Sequence, residues 1–160
     1  EKLIPVVVLK AISGQPIPIY GKGENIRDWL YVDDHAEALL TILKSGKLGE
    51  TYNVGGNNEV TNIDIVKMIC DILDSERPKN SGSYFDQITH VTDRPGHDFR
   101  YAIDASKIKR ELGWEPSLTV QEGMRKTVLW YLENEDWTRS IQERGQAGER
   151  LGLKSFSGAK

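Results

Sequence analysis

Short β-rich segments alternate with amphipathic helical segments along the chain, and this alternation constrains the fold more than any other feature. Periodicity and capping signals predict five helices, at residues 3–12, 33–44, 62–73, 104–112 and 119–134. Short segments typical of strands lie between them, at residues 18–20, 29–32, 51–54 and 88–91. Alternation of this kind indicates an α/β fold. Because no hairpin signal joins the strands, we expect the sheet formed by this chain alone to be incomplete.

The helix boundaries follow from local chemistry. Pro5 is tolerated only in the first turn of a helix, which places the first helix start near Leu3. Thr119 and Glu122 form a capping-box sequence, and Thr61 stands in a similar position before the third helix. The sequence also predicts that Asp33 and Asp104 cap helices. In the second helix, we expect four apolar side chains to form the buried face: Ala36, Leu39, Leu40 and Leu43.

Composition argues against several classes of protein. The net charge of −3 argues against a nucleic-acid-binding protein with a broad basic face. No apolar run approaches the ~20 residues that span a bilayer, so we expect no membrane segment. The single cysteine, Cys70, lies in an apolar helical pattern, which favours a buried packing residue and a cytoplasmic location. One cysteine and three histidines make a structural zinc site improbable, and no metal ligand is assigned.

The last part of the chain differs in charge from the rest. From Arg139 onward, five basic residues stand against two acidic ones, which gives +3 and leaves −6 for the first 138 residues. The pattern of apolar residues also fades there. We therefore expect one folded region at 1–138 and a loosely structured tail at 139–160. Since the chain starts at Glu1 and enters a helical pattern at once, we expect it to be a piece of a longer polypeptide.

Arg27 is the residue whose function the sequence leaves most open. It lies between a glycine loop at residues 21–23 and the apolar run 29–32. We expect the predicted strand to hold its backbone and the loop to leave the side chain open to a ligand. A guanidinium binds carboxylates or phosphates through a planar fork of donors. Taken alone, Arg27 is more often a structural ion pair, with Asp28 or a distant acid, than a ligand contact.

Other side chains suited to binding anions or rings occur at loop positions. Arg94 and Lys2 could join Arg27 on a phosphate, and Tyr20 could stack on a ring. Asn62 could recognise a base or sugar, and His97 a phosphate or hydroxyl. These residues also have structural interpretations. Tyr20 could be a core aromatic residue, Asn62 a helix-start residue, and His97 a histidine bonded to its own turn. Asp93 and Arg94 could form a local ion pair.

Catalytic motifs are absent from this sequence. There is no G-x-G-x-x-G opening a βαβ unit, no P-loop, no G-x-S-x-G and no H-E-x-x-H. We assign no catalytic and no cofactor-binding residue to this chain.

Four motifs together resemble the C-terminal half of the dTDP-glucose 4,6-dehydratases, which are extended short-chain dehydrogenase/reductase enzymes with an NAD-binding Rossmann half. They are KLIP, PIYGKGENIRDWLYVDDHAEAL, ETYNVGGNNEVTN and DRPGHDFRYAIDASKIKRELGW. The likeness extends from Glu1 to about Trp137. It implies that this chain is the C-terminal, substrate-binding part of such a fold, and that NAD and the catalytic residues belong mainly to an N-terminal half.

The resemblance implies a reaction and a set of contacts. The family converts dTDP-glucose to dTDP-4-keto-6-deoxyglucose for deoxysugars such as rhamnose, as a homodimer. By motif match, the positions that bind the dTDP-sugar are Lys2, Leu3, Pro18, Ile19, Tyr20, Arg27, Asn62, Asp93, Arg94 and His97. Two alternatives stay open, a non-catalytic sugar-nucleotide-binding or structural module and a fragment of a UDP-sugar epimerase.

Overall fold

A computed structural model of the chain describes residues 2–143. The helices in that part are α1 (Leu3–Ile12), α2 (Val32–Ser45), α3 (Asn62–Glu76), α4 (Ser106–Leu112), α5 (Val120–Glu133) and α6 (Glu135–Glu143). The strands are β1 (Ile17–Tyr20), β2 (Ile26–Asp28), β3 (Glu59–Thr61) and β4 (Ile88–Val91), and a 3-10 helix covers Tyr84–Gln87. This arrangement confirms the α/β prediction.

The strands form two separate pairs. β1 runs parallel to β4, with Ile17 opposite Ile88 and Tyr20 opposite Val91. β2 runs antiparallel to β3, with Arg27 opposite Val60. Within residues 2–143 each pair consists of two strands, as expected for an incomplete sheet.

The main core lies where α3 packs against α1 and α5 and where α1 covers β1. The buried side chains include Val7, Val8, Ile17, Ile19, Ile65, Val66, Ile69, Cys70, Leu73, Met124 and Val128. Cys70 is fully buried, and burial raises the pKa of its thiol to about 12. It is a packing residue, as the sequence predicts.

Helix starts are the best-predicted features. The Thr61 hydroxyl accepts the N–H of Asp64, and Thr119 and Glu122 form the reciprocal capping box of α5. α4 begins at Ser106, and its N-cap is Ala105 instead of the predicted Asp104. Asp104 nevertheless accepts the Ser106 N–H at 2.9 Å.

Two predicted strands are wrong. The apolar run 29–32 is not a strand, because β2 ends at Asp28 with its short partner β3 and Tyr31 then becomes the N-cap of α2. Asp33 therefore lies inside the first turn and is not the cap. Residues 51–54 form no strand either, since no described segment supplies ladder hydrogen bonds to them. β3, with three residues, was not predicted.

The buried face of α2 is also not the predicted one. The inward stripe is Asp34, Ala38 and Ile42, spaced by four residues, and Ala38 packs in a second cluster with Ile108 and Trp114. The expected stripe faces outward: Leu39, Leu40 and Leu43 are 54%, 52% and 82% exposed, and Ala36 is exposed as well. Both stripes satisfy helical periodicity. The Ala38 stripe is the buried one because it packs on α4.

The predicted boundary at 138 falls inside a helix. α6 continues from Glu135 to Glu143, five residues into the predicted tail. Residues 144–160 lie outside the described residues, so the division into a folded region and a tail stays a prediction.

Candidate functional site

The parallel pairing of β1 and β4 brings their carboxyl ends together. The Gly21 N–H donates to Val91 O at 2.9 Å, so the loop after β1 lies directly against the turn after β4. Gly21 has a φ of +55°, and a Cβ there would lie 3.4 Å from Oδ2 of Asp93. Glycine thus permits the close approach of the two loops.

Asp93 organises the turn after β4. Its Oδ1 accepts the Arg94 N–H at 2.8 Å and lies 2.7 Å from Nδ1 of His97. The hydrogen bond from His97 is the main cause that lowers the pKa of Asp93, followed by the backbone bond from Arg94, against an opposing desolvation effect. The interpretation of His97 as a histidine bonded to its own turn is therefore confirmed.

His97 also contacts Tyr20. The two rings meet edge to face with centroids 6.2 Å apart, and the His97 side chain is only 6% exposed. This packing brings the end of β1 and the charged turn into one surface.

Arg27 is not paired with Asp28. Asp28 instead accepts backbone N–H groups of Gly56 and Asn58, each at 2.8 Å. Arg27 donates to the carbonyl oxygens of Ile26 at 2.6 Å and of Asp98 at 2.9 Å. Among residues 2–143 no carboxylate lies within ion-pair distance of it. The expected structural ion pair is wrong for the described residues.

Tyr101 lies against the Arg27 side chain. The Arg27 guanidinium stands 4.8 Å from the centroid of the Tyr101 ring. The hydrogen bond and charge of Asp98 raise the pKa of Tyr101, and the positive charges of Arg27 and Arg94 both oppose that rise. Arg27, Tyr101 and Asp98 therefore form one surface, which holds the Asp98 carboxylate as well as the Arg27 cation.

Asn62 connects to the same surface through Asn25. Its backbone N–H, at the start of α3, donates to Asn25 O at 2.9 Å. The Asn25 side chain is buried and donates to Asp98 O at 3.2 Å. The Asp98 carbonyl thus accepts hydrogen bonds from both Asn25 and Arg27. These bonds connect the turn at residues 93–97 with Arg27 and, through Asn25, with Asn62.

Sequence reasoning missed Asn25, Asp98 and Tyr101 as members of this site. Asp98 and Tyr101 lie inside the DRPGHDFRYAID motif, which was the available signal. Asn25 lies inside the PIYGKGENIRDWLYVDDHAEAL motif, but its role depends on a backbone oxygen far along the chain, which the motif does not indicate.

The other predicted contacts are placed differently. Ile19 is 1% exposed and faces the core, whereas Pro18 and Tyr20 are half-buried on the opposite side of β1. Lys2 is exposed at the N-cap of α1 and Leu3 packs against the core. No described contact brings Lys2 or Leu3 to the Arg27 surface. Their roles, like those of all ten residues, stay predictions.

A separate cavity of about 550 Å3 lies between α5 and the segment before α2. Its walls are mainly apolar and aromatic and include Trp29, Tyr31, Met124, Trp130 and Tyr131. None of the ten predicted site residues lines it.

The glycine loop after β1 does not have the geometry of a dinucleotide-binding loop. A phosphate-binding glycine loop leads from a strand into a helix. The loop after β1 leads into β2 instead. Gly23 serves packing, because a Cβ there would lie 2.8 Å from Cγ2 of Ile19 and 2.9 Å from Cβ of Ile63. Residues 2–143 also contain no cluster of three His, Cys, Asp or Glu side chains suited to a metal, and no helix long and apolar enough to span a membrane.

Taken together, the helices and strands form an α/β fold of the extended short-chain dehydrogenase type, in agreement with solved dehydratase structures. One is the dTDP-glucose 4,6-dehydratase of Bacillus anthracis in complex with NAD, with a TM-score of 0.77, 45% identity, and coverage of 88% of this chain and 42% of that one. The chain belongs to the GDP-mannose 4,6 dehydratase family, whose model matches residues 1–127.

Two further matches agree with this placement. A dTDP-glucose 4,6-dehydratase from Shigella flexneri is 61% identical over 142 residues, which cover 89% of this chain and 39% of the relative. The Streptomyces venezuelae dTDP-glucose 4,6-dehydratase with NAD and TYD bound has a TM-score of 0.76 and 38% identity, covering 85% of this chain and 40% of that one. The chain thus spans about two fifths of the length of these proteins.

Proposed function

We propose that this chain is the substrate-binding portion of an NAD-dependent dTDP-glucose 4,6-dehydratase, a lyase that converts dTDP-glucose to dTDP-4-keto-6-deoxyglucose in deoxysugar biosynthesis such as that of rhamnose. The observation that carries the proposal is the Arg27 guanidinium, which pairs with no carboxylate among residues 2–143 and is held beside Tyr101 by the carbonyl oxygens of Ile26 and Asp98. A sugar nucleotide carries a diphosphate next to a base and a sugar, and two guanidiniums suit the diphosphate.

The site offers specific donors to such a ligand. Arg27 has five N–H groups and uses two of them on backbone carbonyls, so three remain for phosphate oxygens within the described structure. The exposed Arg94 supplies a second charge. Asn62 at the start of α3 has an amide that both donates and accepts, as recognition of a base or sugar requires.

Asp93 and His97 have a supporting role in this proposal. They fix the turn that carries Arg94, and the His97 ring packs on Tyr20, the residue proposed to lie near the thymine. Lys2, Leu3, Pro18 and Ile19 would contribute to the edges of the site. For Ile19, the contribution would come through its backbone, since the side chain is buried.

The chemistry itself is proposed to reside outside this chain. In such dehydratases NAD supplies the hydride exchange, and NAD is proposed to be bound mainly by the part of the longer polypeptide outside this chain. The outward apolar face of α2, formed by Leu39, Leu40 and Leu43, is proposed to pack against the remaining part of a longer polypeptide. Relatives more than twice as long as this chain support that assignment. A homodimer in the cytoplasm completes the proposal.

Product analysis with the full-length polypeptide tests the function. Incubation with dTDP-glucose and NAD is expected to yield the 4-keto-6-deoxy product, whereas UDP-glucose under the same conditions is expected to yield none. Epimerised UDP-sugar with no keto product would support the UDP-sugar epimerase instead. Binding of dTDP with no turnover of either sugar would support the non-catalytic module.

A further inference from the structure

The Arg27 guanidinium and the Tyr101 ring are stacked on the exposed side of the site. The guanidinium carbon lies 4.8 Å from the ring centroid, within the range of a cation–π interaction. The guanidinium is also held in plane by the carbonyl oxygens of Ile26 and Asp98. The Tyr101 ring therefore covers one face of the guanidinium, and the donors not used by the two carbonyls remain for a ligand.

Tyr101 is itself fixed at both ends. Its backbone N–H donates to Ile26 O at 3.0 Å, and Ile26 N–H donates to Phe99 O at 2.7 Å. At the other end, its hydroxyl donates to the carboxylate of Asp98. These bonds attach residues 99–101 to β2 beside Arg27, so the ring has little freedom to leave the guanidinium.

We infer that Tyr101 is a positioning residue that fixes the orientation of the Arg27 guanidinium toward the diphosphate of the nucleotide. The inference rests on the proposed function, since Arg27 is the proposed phosphate contact. A long arginine side chain on a strand edge otherwise samples many rotamers. A ring on one face and two carbonyl hydrogen bonds at the edge restrict the guanidinium, which reduces the ordering needed when ligand binds.

A direct contact between Tyr101 and the ligand base is the competing interpretation, because an exposed aromatic ring can also stack on thymine. Tyr101 is 54% exposed. The two interpretations differ in which part of the ligand loses affinity when the ring is removed. Positioning of Arg27 affects phosphate-bearing ligands only, whereas stacking affects the nucleoside as well.

Calorimetric titration of the full-length polypeptide with dTDP tests the inference in a double-mutant cycle. Tyr101→Leu is expected to weaken dTDP binding about two- to fivefold, the range of an exposed cation–π contact. Tyr101→Phe, which keeps the ring, is expected to retain most of the affinity. In an Arg27→Ala background, Tyr101→Leu is expected to cause no further loss, and thymidine binding is expected to be unaffected throughout.

Tyr52→Leu is the matched control, because Tyr52 stacks on Lys107 at 4.7 Å and lies outside this site; its dTDP affinity is expected to equal that of the parent. Melting temperatures of all variants establish that they are folded. An equal loss from Tyr101→Leu with and without Arg27, no loss at all, or a parallel loss of thymidine binding would overturn the inference. Unchanged dTDP affinity in Arg27→Ala would instead overturn the proposed role of Arg27 in the site.

Discussion

Asp93 and His97 are joined by a 2.7 Å contact between Oδ1 and Nδ1 that closes the turn after β4. The Asp93 carboxylate thereby contacts a nearly buried imidazole ring, which packs edge to face with Tyr20. The charged turn is therefore attached to the end of β1 by side chains as well as by the strand pairing.

The stability contributed by Asp93 is expected to depend on pH. The His97 and Arg94 hydrogen bonds lower the pKa of the folded Asp93 carboxyl, whereas the unfolded value is about 3.9. Ionised Asp93 therefore stabilises the fold above about pH 4, and this contribution is lost as the pH falls through the lower folded pKa.

Urea unfolding of the full-length protein and of Asp93→Asn measures this effect. The difference in free energy of unfolding is expected to shrink as the pH falls below about 4. Asp104→Asn should show the same sign, because the Ser106 backbone N–H lowers the pKa of Asp104. A difference for Asp93→Asn that grows on acidification would contradict the account.

Asn25 is expected to matter for both stability and substrate affinity. Asn25→Ala removes the buried amide that donates to Asp98 O, and loss of one such bond costs about 1 kcal/mol. Because Asp98 O also holds Arg27, the KM for dTDP-glucose is expected to rise as well.

Asn53→Ala is the matched control for Asn25→Ala. The Asn53 amide donates to Asp104 O at 3.3 Å on the exposed side of the molecule, away from the arginines. Chemical denaturation and steady-state kinetics check both variants. A KM that rises equally in the two, or in neither, would show that the Asp98 carbonyl does not organise the site.

The outward leucines of α2 are expected to be buried in the full-length protein. Leu40→Ala and Leu43→Ala should each lower the free energy of unfolding by about 2–5 kcal/mol if the longer polypeptide covers them. Lys44→Ala on the same helix should change it by no more than about 0.5 kcal/mol. If Leu40→Ala and Leu43→Ala lower the free energy of unfolding no more than Lys44→Ala does, this face stays exposed in the full-length protein.

Local chemistry explains which parts of the fold could be predicted. The caps at Thr61 and Thr119 depend on residues three positions apart, so the sequence contains the whole interaction. The face of α2 depends on α4, about seventy residues along the chain, and periodicity fits both stripes equally. Strands as short as β3 have too few residues to show a pattern.

The site shows the same division. Motifs identified Arg27, Asn62 and the turn at residues 93–97, and the structure brings these close together. The connection of Asn25 and Arg27 through the Asp98 carbonyl could not be predicted, because a backbone oxygen has no signature in the sequence. The structure also excluded the pairing of Arg27 with Asp28, whose carboxylate holds residues 56 and 58.

The most direct test of the central claim is the KM for dTDP-glucose in three arginine variants of the full-length enzyme. Arg27→Ala and Arg94→Ala are each expected to raise KM about 10- to 100-fold, as loss of hydrogen bonds to a charged diphosphate predicts. Arg100→Ala, which removes only the exposed pair with Glu59, is expected to leave KM unchanged. Unchanged KM in both Arg27→Ala and Arg94→Ala would contradict the account.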